Sequence, residues 1–337
     1  MPAPRAPRAP RAPRALRARH SELATPANSE RMCEKAARSG ADLVFLDLED
    51  ACAPVAKEGA RATAVAALTG LDWGRTLRAV RVNGIETPWC HGDIIEVVTG
   101  AREALDVIIV PKARSARDVW WVDVLLTQLE AKLGIRRPIA LEVLVEESEG
   151  LANAVEIARS SERLEAIIFG AGDLSASQRA RVDGNFDPAG DYPGDFWHFA
   201  RFQVVTAARV AGIDAIDAPY PAYRDPDGYR RSAVQASLLG FDGKWAIHPD
   251  QIAIANDVFA PTPAEVADAE QAIAAYRAAE AGGVGAIGRD GRLVDAAHMH
   301  LAANTLHKAA VASGERDGAG AVPPSPAARN GEGNPQQ

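Results

Sequence analysis

Between about residues 20 and 260, short apolar runs alternate with longer amphipathic segments. The runs are rich in β-branched side chains and are bounded by polar residues, which is typical of strands buried on both faces. The predicted strands are Ala41–Leu48, Leu77–Val82, Val107–Val110, Ile139–Val145, Ala166–Phe169, Ile213–Ile216 and Trp245–Ile247, with Glu22–Ala24 as a weaker eighth.

The segments between these runs carry apolar residues at helical spacing. They include Ser29–Arg38, Lys57–Leu68, Ala116–Leu133, Leu151–Ser160 and Phe196–Ala211. Strand–helix alternation repeated about eight times over ~240 residues predicts a (β/α)₈ TIM barrel for residues 20–260. The alternation alone leaves a doubly wound open sheet as the alternative.

The pattern changes after residue 260. Pro261 and Pro263 open a helical run, Ala264–Ala281, and the segment Gly282–Gly291 predicts a loop. A further helix is predicted from Asp295 to about residue 312. This C-terminal helical extension, 261–312, is too small to form a domain, so we expect it to pack on the barrel or on a neighbouring subunit.

Both ends of the chain have a different composition. Residues 1–19 repeat Pro-Arg-Ala, and 313–337 are rich in Gly, Pro, Ala and Asn. Neither composition can bury a core, so both are predicted to be disordered tails. A proline at every third position also disfavours the amphipathic helix of a mitochondrial presequence.

Composition narrows the class of protein. The 337 residues are 47% hydrophobic and carry a net charge of −8, which argues against nucleic acid as a partner because phosphate binding needs a basic face. The three cysteines show no C-x-x-C spacing and read as reduced thiols. No apolar run approaches the ~18–20 residues that cross a bilayer. We therefore expect a cytoplasmic enzyme that has no membrane partner.

Polar residues follow the apolar runs at the ends where a barrel places its active site. They are Asp47, Glu49, Asp50, Arg81, Asn83, Lys112, Glu146, Glu147, Asp173, Asp217 and His248. One such residue can be a solvated strand end or a helix N-cap, and Asp50 and Glu147 are interpreted in that way. Seven strands in succession that end in ionisable residues predict a charged pocket.

The chemistry of this set points to a metal and an anionic substrate. Carboxylates combined with one arginine and one lysine suit a hard cation with oxygen ligands. Oxygen ligands alone favour Mg²⁺ over zinc, with Mn²⁺ as an alternative. No H-E-x-x-H motif or Cys/His cluster competes for a softer metal.

Ordered motifs then give a resemblance. The segments ADLVFLDLEDACAP (41–54), LDWGR (71–75), VPK (110–112), LEVLVEESEG (141–150), FGAGDLSAS (169–177), GKWAIHPDQ (243–251) and GRLVD (291–295) follow one another in the order of one family. Together they resemble the HpcH/HpaI aldolase and citrate lyase β-subunit family, and within it the malyl-CoA and β-methylmalyl-CoA lyases. The resemblance runs from about residue 20 to 312.

The resemblance implies roles for particular residues. Glu146 and Asp173 match the Mg²⁺ ligands, and Arg81 matches the arginine that binds the substrate's carboxylate and hydroxyl region. The remaining matches are Gly172, Ile247 and His248 as substrate contacts made largely through the backbone, Lys35 near the coenzyme A end, and Asp295 as the acid that the C-terminal extension delivers into a neighbouring subunit's site. For Asp295, whose candidate role is proton transfer, a helix N-cap is the alternative.

The implied activity is reversible aldol-type cleavage of a malyl-CoA-like 3-hydroxyacyl-CoA thioester to an acyl-CoA and a 2-oxo acid such as glyoxylate. The implied assembly is a homotrimer or homohexamer. Two alternatives stay open: a metal-dependent aldolase acting on free 2-oxo acids, and a non-catalytic CoA-ester-binding subunit. The chain departs from the family pattern at His20, Ser29 and Gln178-Arg179, where we expect acyl-CoA or acceptor preference to be affected.

Overall fold

The computed structural model describes residues 17–314, which divide into two compact units, 19–259 and 260–314, with 17 and 18 grouped with the second. In the first unit eight parallel strands close into a barrel in sequence order. The strands are β1 (Ser21–Pro26), β2 (Leu43–Asp47), β3 (Leu77–Arg81), β4 (Val107–Val110), β5 (Ala140–Val145), β6 (Leu164–Phe169), β7 (Asp214–Asp217) and β8 (Gly243–Ala246). The predicted TIM barrel is confirmed, and the open-sheet alternative is wrong.

Helices surround the barrel. They are α1 (Glu30–Ala37), α2 (Lys57–Gly70), α3 (Cys90–Ala101), α4 (Ala116–Leu133), α5 (Ser148–Ala152), α6 (Ala154–Ala158), α7 (Ala171–Ser177), α8 (His198–Ala211), α9 (Pro226–Leu239) and α10 (Ile252–Phe259). The single helix predicted over Leu151–Ser160 is wrong, because α5 and α6 meet at Asn153. The Asn153 amide donates a hydrogen bond to the carbonyl of Arg114 (2.9 Å), and its backbone leaves the helical region.

The apolar runs are nearly continuous because each strand is buried on two faces. One face packs against the helices, and the other fills the barrel interior with side chains such as Phe45, Ala79, Leu144 and Trp245. Inward-facing positions recur every second residue. Asp47, Arg81 and Glu146 each lie two positions after an inward-facing residue, namely Phe45, Ala79 and Leu144. They therefore also face the barrel interior, at its carboxyl-terminal end.

The second unit contains two long helices and a hairpin. Helix α11 (Pro263–Ala281) begins with a capping box in which the Thr262 hydroxyl and the Glu265 carboxylate each accept the other residue's backbone N–H. Two antiparallel strands follow, β9 (Ala286–Arg289) and β10 (Arg292–Asp295), and then α12 (Ala296–Ser313).

The loop predicted over Gly282–Gly291 is wrong for its second half, which forms β9 and the hairpin turn. Asp290 and Gly291 occupy the turn at φ 50° and 75°, the left-handed region required at both central positions of a type I′ turn. Asp-Gly between two short strands is the strongest local hairpin signal, and the glycine-rich composition concealed it.

The predicted tails 1–19 and 313–337 lie outside the described residues except for 17–19 and 313–314. Within residues 17–314, no helix has both the length and the hydropathy to cross a membrane.

Candidate active site

Arg81, the last residue of β3, lies buried at the carboxyl-terminal end of the barrel interior. Its Nε and Nη2 donate to the two carboxylate oxygens of Asp47 at 2.8 and 2.6 Å, a bidentate pair that fixes the guanidinium plane. Nη1 lies 3.0 Å from Glu49 Oε2. Burial alone would lower the pKa of Arg81, but these carboxylates raise it above its usual value, so the side chain stays a cation.

The turn after β2 holds the two acids that face Arg81. Asp47 accepts hydrogen bonds from the backbone N–H groups of Glu49 and Ala51, at 2.9 and 3.0 Å. The buried Lys57 ammonium donates to the carbonyls of Leu48 and Glu49, at 3.0 and 2.7 Å. The turn is therefore fixed from two sides, and the Glu49 carboxylate is directed towards the barrel axis.

Lys112 joins the acids of three different elements. Its backbone N–H donates to Glu146 Oε1 at 3.0 Å, and its ammonium lies 2.8 Å from Glu49 Oε1 and 3.2 Å from Asp173 Oδ2. The backbone of Lys112 has φ 51°, a strained conformation for a residue with a side chain and one that concentrates at functional sites. Lys112 was predicted only as a strand end; its left-handed backbone and cross-strand contacts have no sequence signature.

Glu146 and Asp173 follow the neighbouring strands β5 and β6, so their carboxylates share one region of the site. Glu146 is buried, and its pKa is raised well above the usual value by burial and by the charges of Glu49 and Asp173. Gly170 makes this arrangement possible, because a Cβ there would lie 2.4 Å from the Glu146 Cβ. Asp173 lies in the first turn of α7 and is partly exposed.

The donor set fits a magnesium ion. Within residues 17–314, no group of three or more His, Cys, Asp or Glu side chains forms a complete metal site. Mg²⁺ does not need one, because it commonly binds through one or two carboxylates and keeps several waters. Glu146 and Asp173 would supply two hard oxygen ligands, and a divalent cation would relieve the repulsion that raises the pKa of Glu146. Glu49 Oε2 is buried, and its contact with Arg81 Nη1 at 3.0 Å is an ion pair without hydrogen-bond geometry.

The other predicted substrate contacts of the first unit lie at the same end of the barrel, except Lys35. Gly172 precedes Asp173 in α7, and a Cβ there would come within 3.0 Å of the Phe186 ring. Ile247 and His248 directly follow β8, and the His248 ring stacks on Tyr223 with centroids 5.2 Å apart. Helix α1 begins after β1 ends at this face and runs away from it. Lys35 is exposed in the last turn of α1, at the far end of that helix.

Asp295 belongs to the second unit. Its carboxylate accepts the backbone N–H groups of Ala297 and His298 at 3.0 and 3.4 Å, so it forms the N-cap of α12. The His298 side chain lies 2.8 Å away and is the main cause of a lowered pKa for Asp295. The helix cap named as the alternative for Asp295 is therefore present, and proton transfer by this residue stays a prediction.

The fold and the site define a TIM-barrel enzyme with an acidic, oxygen-ligand site beside a buried arginine. The model of the HpcH/HpaI aldolase/citrate lyase family matches residues 21–249. The chain belongs to this family, and the predicted class, a carbon–carbon lyase of the aldolase and citrate lyase type, is confirmed at that level.

Relatives of known name cover nearly the whole chain. The L-malyl-CoA/β-methylmalyl-CoA lyase of Cereibacter sphaeroides is 40% identical over 301 residues, 87% of this chain and 95% of its own length. The (3S)-malyl-CoA thioesterase of the same organism is 37% identical over 291 residues, 86% and 94% of the two chains. A crystal structure of protein CitE from Mycobacterium tuberculosis with magnesium, acetoacetate and coenzyme A aligns with a TM-score of 0.67 and 30% identity, covering 86% of this chain and 97% of that one.

Proposed function

We propose that this protein is a Mg²⁺-dependent lyase that reversibly cleaves a malyl-CoA-like 3-hydroxyacyl-CoA thioester to an acyl-CoA and a 2-oxo acid such as glyoxylate. The observation that carries the proposal is the cluster at the carboxyl end of the barrel. It joins Arg81 to Glu146 and Asp173 through Glu49 and Lys112. The 40% identity to a lyase with malyl-CoA substrates supports the same reaction.

Arg81 would bind the carboxylate of the oxo-acid portion. Two of its five N–H groups are donated to Asp47 and a third faces Glu49, so one N–H on Nη1 and one on Nη2 remain for a second carboxylate. In the cleavage direction the substrate hydroxyl loses its proton and becomes a carbonyl as the carbon–carbon bond breaks. The bonding electrons pass to the carbon next to the thioester, which then takes up a proton. A buried, permanently charged guanidinium stabilises charge at the neighbouring oxygens without reorganising.

Glu146 and Asp173 would hold the metal ion. When bound, Mg²⁺ supplies Lewis-acid stabilisation of developing negative charge. Mn²⁺ accepts the same oxygen ligands and is expected to substitute. The ammonium of Lys112 and the carboxylate of Glu49 complete the charged wall around these ligands, and the buried strand ends keep bulk water away from it.

The remaining groups complete the substrate site in this proposal. Gly172, Ile247 and His248 would contact the acyl portion, and Lys35 would lie towards coenzyme A. Asp295 would transfer the proton at the carbon next to the thioester, entering the site from a neighbouring subunit of a homotrimer or homohexamer. The protein would then be active only as an oligomer.

Thioester hydrolysis is a second candidate, favoured by the 37% identity to a (3S)-malyl-CoA thioesterase. In that reaction water attacks the thioester carbonyl, the carbon–sulfur bond breaks, and malate and free coenzyme A are released. The two reactions start from one substrate, so substrate binding does not distinguish them. Their products do, because only carbon–carbon cleavage yields glyoxylate and acetyl-CoA.

The test is a panel of 3-hydroxyacyl-CoA esters and free hydroxy-oxo acids, with product identification and with or without EDTA. We expect glyoxylate and acetyl-CoA from malyl-CoA, and loss of turnover with EDTA that Mg²⁺ restores. Turnover of a free hydroxy-oxo acid without any thioester cleavage would support the CoA-independent aldolase instead. The absence of any cleavage would support the non-catalytic CoA-ester-binding subunit.

Neighbouring acids provide a matched pair of variants. Glu146→Gln is expected to lose Mg²⁺ binding and turnover together, because a neutral amide replaces an anionic ligand. Glu147→Gln, at the same strand end but paired with Arg114 at 3.3 Å, is expected to keep both. Equal Mg²⁺ affinity in the two variants would contradict the assignment of Glu146 as a ligand.

A further inference from the structure

Two aromatic rings lie beneath the Arg81 guanidinium inside the barrel. The Arg81 Cζ is 5.4 Å from the Trp245 ring centroid and 5.9 Å from that of Phe45. The two rings pack on each other with centroids 4.4 Å apart at an angle of 38°. A cation within about 6 Å of an aromatic face is attracted to the ring, and the attraction is stronger where water is excluded. All three side chains are buried.

A hydrogen bond on the amino-terminal side of the barrel interior orients Trp245. Its indole Nε1 donates to Glu22 Oε2 at 2.9 Å, and Glu22 is a fully buried residue near the start of β1. The next inward position of β1 is Ala24, a small side chain that packs against the same inner cluster as Trp245 and Phe45. The hydrogen bond fixes the rotation of the indole, so the ring presents a constant surface to Arg81.

The same carboxyl group of Glu22 also interacts with Glu142, which belongs to a charged cluster at the amino-terminal end of the barrel. There the Arg19 guanidinium binds Glu142 at 2.7 Å, Asp214 at 3.2 Å, and Glu165. Glu22, Trp245 and Arg81 thus form a continuous column of side chains along the barrel interior, from this cluster to the candidate active site.

We propose that Trp245, oriented by Glu22, is a positioning residue that sets the tilt of the Arg81 guanidinium towards the substrate carboxylate. Asp47 fixes Arg81 within the guanidinium plane, but a carboxylate in that plane leaves rotation out of the plane less restrained. The indole supplies this second restraint. The inference rests on the proposed function, because it acts through the contact of Arg81 with the oxo acid.

The test measures the condensation of glyoxylate with acetyl-CoA, in which the two substrates report on different parts of the site. Trp245→Leu removes the ring, and we expect kcat/KM for glyoxylate to fall on the order of tenfold. The KM for acetyl-CoA should stay the same, because Arg81 contacts only the oxo acid. Trp245→Phe keeps an aromatic face without the N–H donor, and its loss should be smaller, about threefold.

Trp73→Leu is the matched control. Trp73 is as buried as Trp245, at 6% against 5% exposed, and its indole also donates a hydrogen bond, to the carbonyl of Ala67 at 3.1 Å. It lies before β3, in the layer between strands and helices. This variant should have a lower melting temperature but the wild-type kcat/KM for glyoxylate and the wild-type KM for acetyl-CoA. Glu22→Leu should lower kcat/KM for glyoxylate as much as Trp245→Phe does. Glu22→Gln keeps an acceptor oxygen and should restore the wild-type value.

If Trp245→Leu raised the KM values for glyoxylate and acetyl-CoA equally, Trp245 would have a structural role only and the inference would be overturned. Unchanged kinetics in both Trp245→Phe and Glu22→Leu would also overturn it, which covers the case in which Trp245→Leu does not fold. A wild-type protein that neither condenses nor cleaves these substrates would instead contradict the proposed function, before any variant is compared.

Discussion

Asp106, the residue before β4, is a buried carboxylate paired with arginines of neighbouring segments. At the amino-terminal end of the barrel, Asp106 accepts hydrogen bonds from the Arg78 backbone N–H at 3.0 Å and from Arg78 Nε at 2.9 Å, and it also pairs with Arg137. Burial alone would raise the pKa of Asp106, but these partners lower it below its usual value. A buried carboxylate with a lowered pKa stabilises the fold only while it is ionised.

We therefore predict that Asp106→Asn removes stability in a pH-dependent way. The contribution of Asp106 is complete above its unfolded pKa of about 4 and is lost as the pH falls through the lower folded value. Near neutral pH the variant should lose about 1–3 kcal/mol of unfolding free energy, and the difference from wild type should shrink in acid. Urea denaturation at several pH values checks this.

Asp257→Asn is the control for that measurement. Asp257 pairs with Arg230 at 2.7 Å, but its side chain is 66% exposed, so little stability should be lost at any pH. A constant difference between Asp106→Asn and wild type from neutral to acid pH would contradict the linkage argument.

Asp295 allows capping and proton transfer to be separated by one substitution. Asparagine is as good an N-cap as aspartate, so Asp295→Asn should preserve the start of α12. An amide cannot take a proton, so turnover should fall by about 10²-fold or more if Asp295 is the acid–base group. Circular dichroism and the exchange of the acetyl-CoA methyl protons in D₂O measure the two properties. Full activity of Asp295→Asn would leave Asp295 with the cap alone.

The candidate site was only partly predictable at this scale. Arg81 and Glu146 could be found because Arg81 lies at the end of an apolar run and Glu146 directly follows one. The bridging role of Lys112 could not, because its contacts to Glu49 and Asp173 depend on a left-handed backbone and on chain segments far apart in sequence. Trp245 was interpreted only as part of a strand, because an indole in an apolar run carries no sign of the cation above it.

At the scale of elements, periodicity predicted the barrel better than the connections. The eight strands were predictable because burial on both faces demands an apolar run in each. The break at Asn153 and the hairpin at Asp290-Gly291 depend on single residues whose hydrogen bonds or positive φ oppose the surrounding pattern. A side-chain hydrogen bond overrode helical periodicity at Asn153, and turn chemistry overrode composition at Asp290-Gly291.

The close approach of β5 and β6 gives a prediction for Gly170. An alanine Cβ would lie 2.4 Å from the Glu146 Cβ and 3.0 Å from its Oε2, so the Glu146 side chain would have to move. We expect Gly170→Ala to weaken Mg²⁺ binding by about tenfold or more, because ligand orientation depends on such neighbours. Overpacking should also cost about 1–3 kcal/mol of stability. Calorimetric titration with Mg²⁺ and thermal melting measure the two effects.

Gly59→Ala is the matched control, since a Cβ at Gly59 in α2 meets nothing within 4 Å. It should keep wild-type Mg²⁺ affinity and gain slightly in stability. Unchanged Mg²⁺ affinity in Gly170→Ala would mean either that Glu146 tolerates the shift or that it is not a ligand, and the Glu146→Gln titration decides between these.

At the scale of the whole molecule, exposed apolar side chains favour the proposed oligomer. On α8 and α9, Phe199, Phe202 and Leu238 are 74%, 55% and 83% exposed. Large apolar side chains exposed on a globular protein commonly mark protein–protein contacts where they lie together, as Phe199 and Phe202 do one helical turn apart. Leu293 and Leu301 of the second unit are also exposed, at 65% each. Such surfaces are compatible with a chain that functions only beside copies of itself.

Complementation between two inactive variants tests whether the site is shared. Arg81→Lys lacks the fork of the receiving subunit, Asp295→Asn lacks the acid of the donating subunit, and each homo-oligomer should be nearly inactive. The two chains are co-expressed with different tags, and mixed oligomers are isolated. If Asp295 acts in a neighbour's site, these should show up to about a quarter of the wild-type turnover. Random pairing joins an intact Arg81 to an intact Asp295 in that fraction of sites. The control is co-expression of Arg81→Lys with Glu146→Gln, which both damage the receiving barrel and should restore nothing. If Asp295→Asn is inactive alone and the mixed oligomers also stay inactive, Arg81 and Asp295 must act in the site of a single chain.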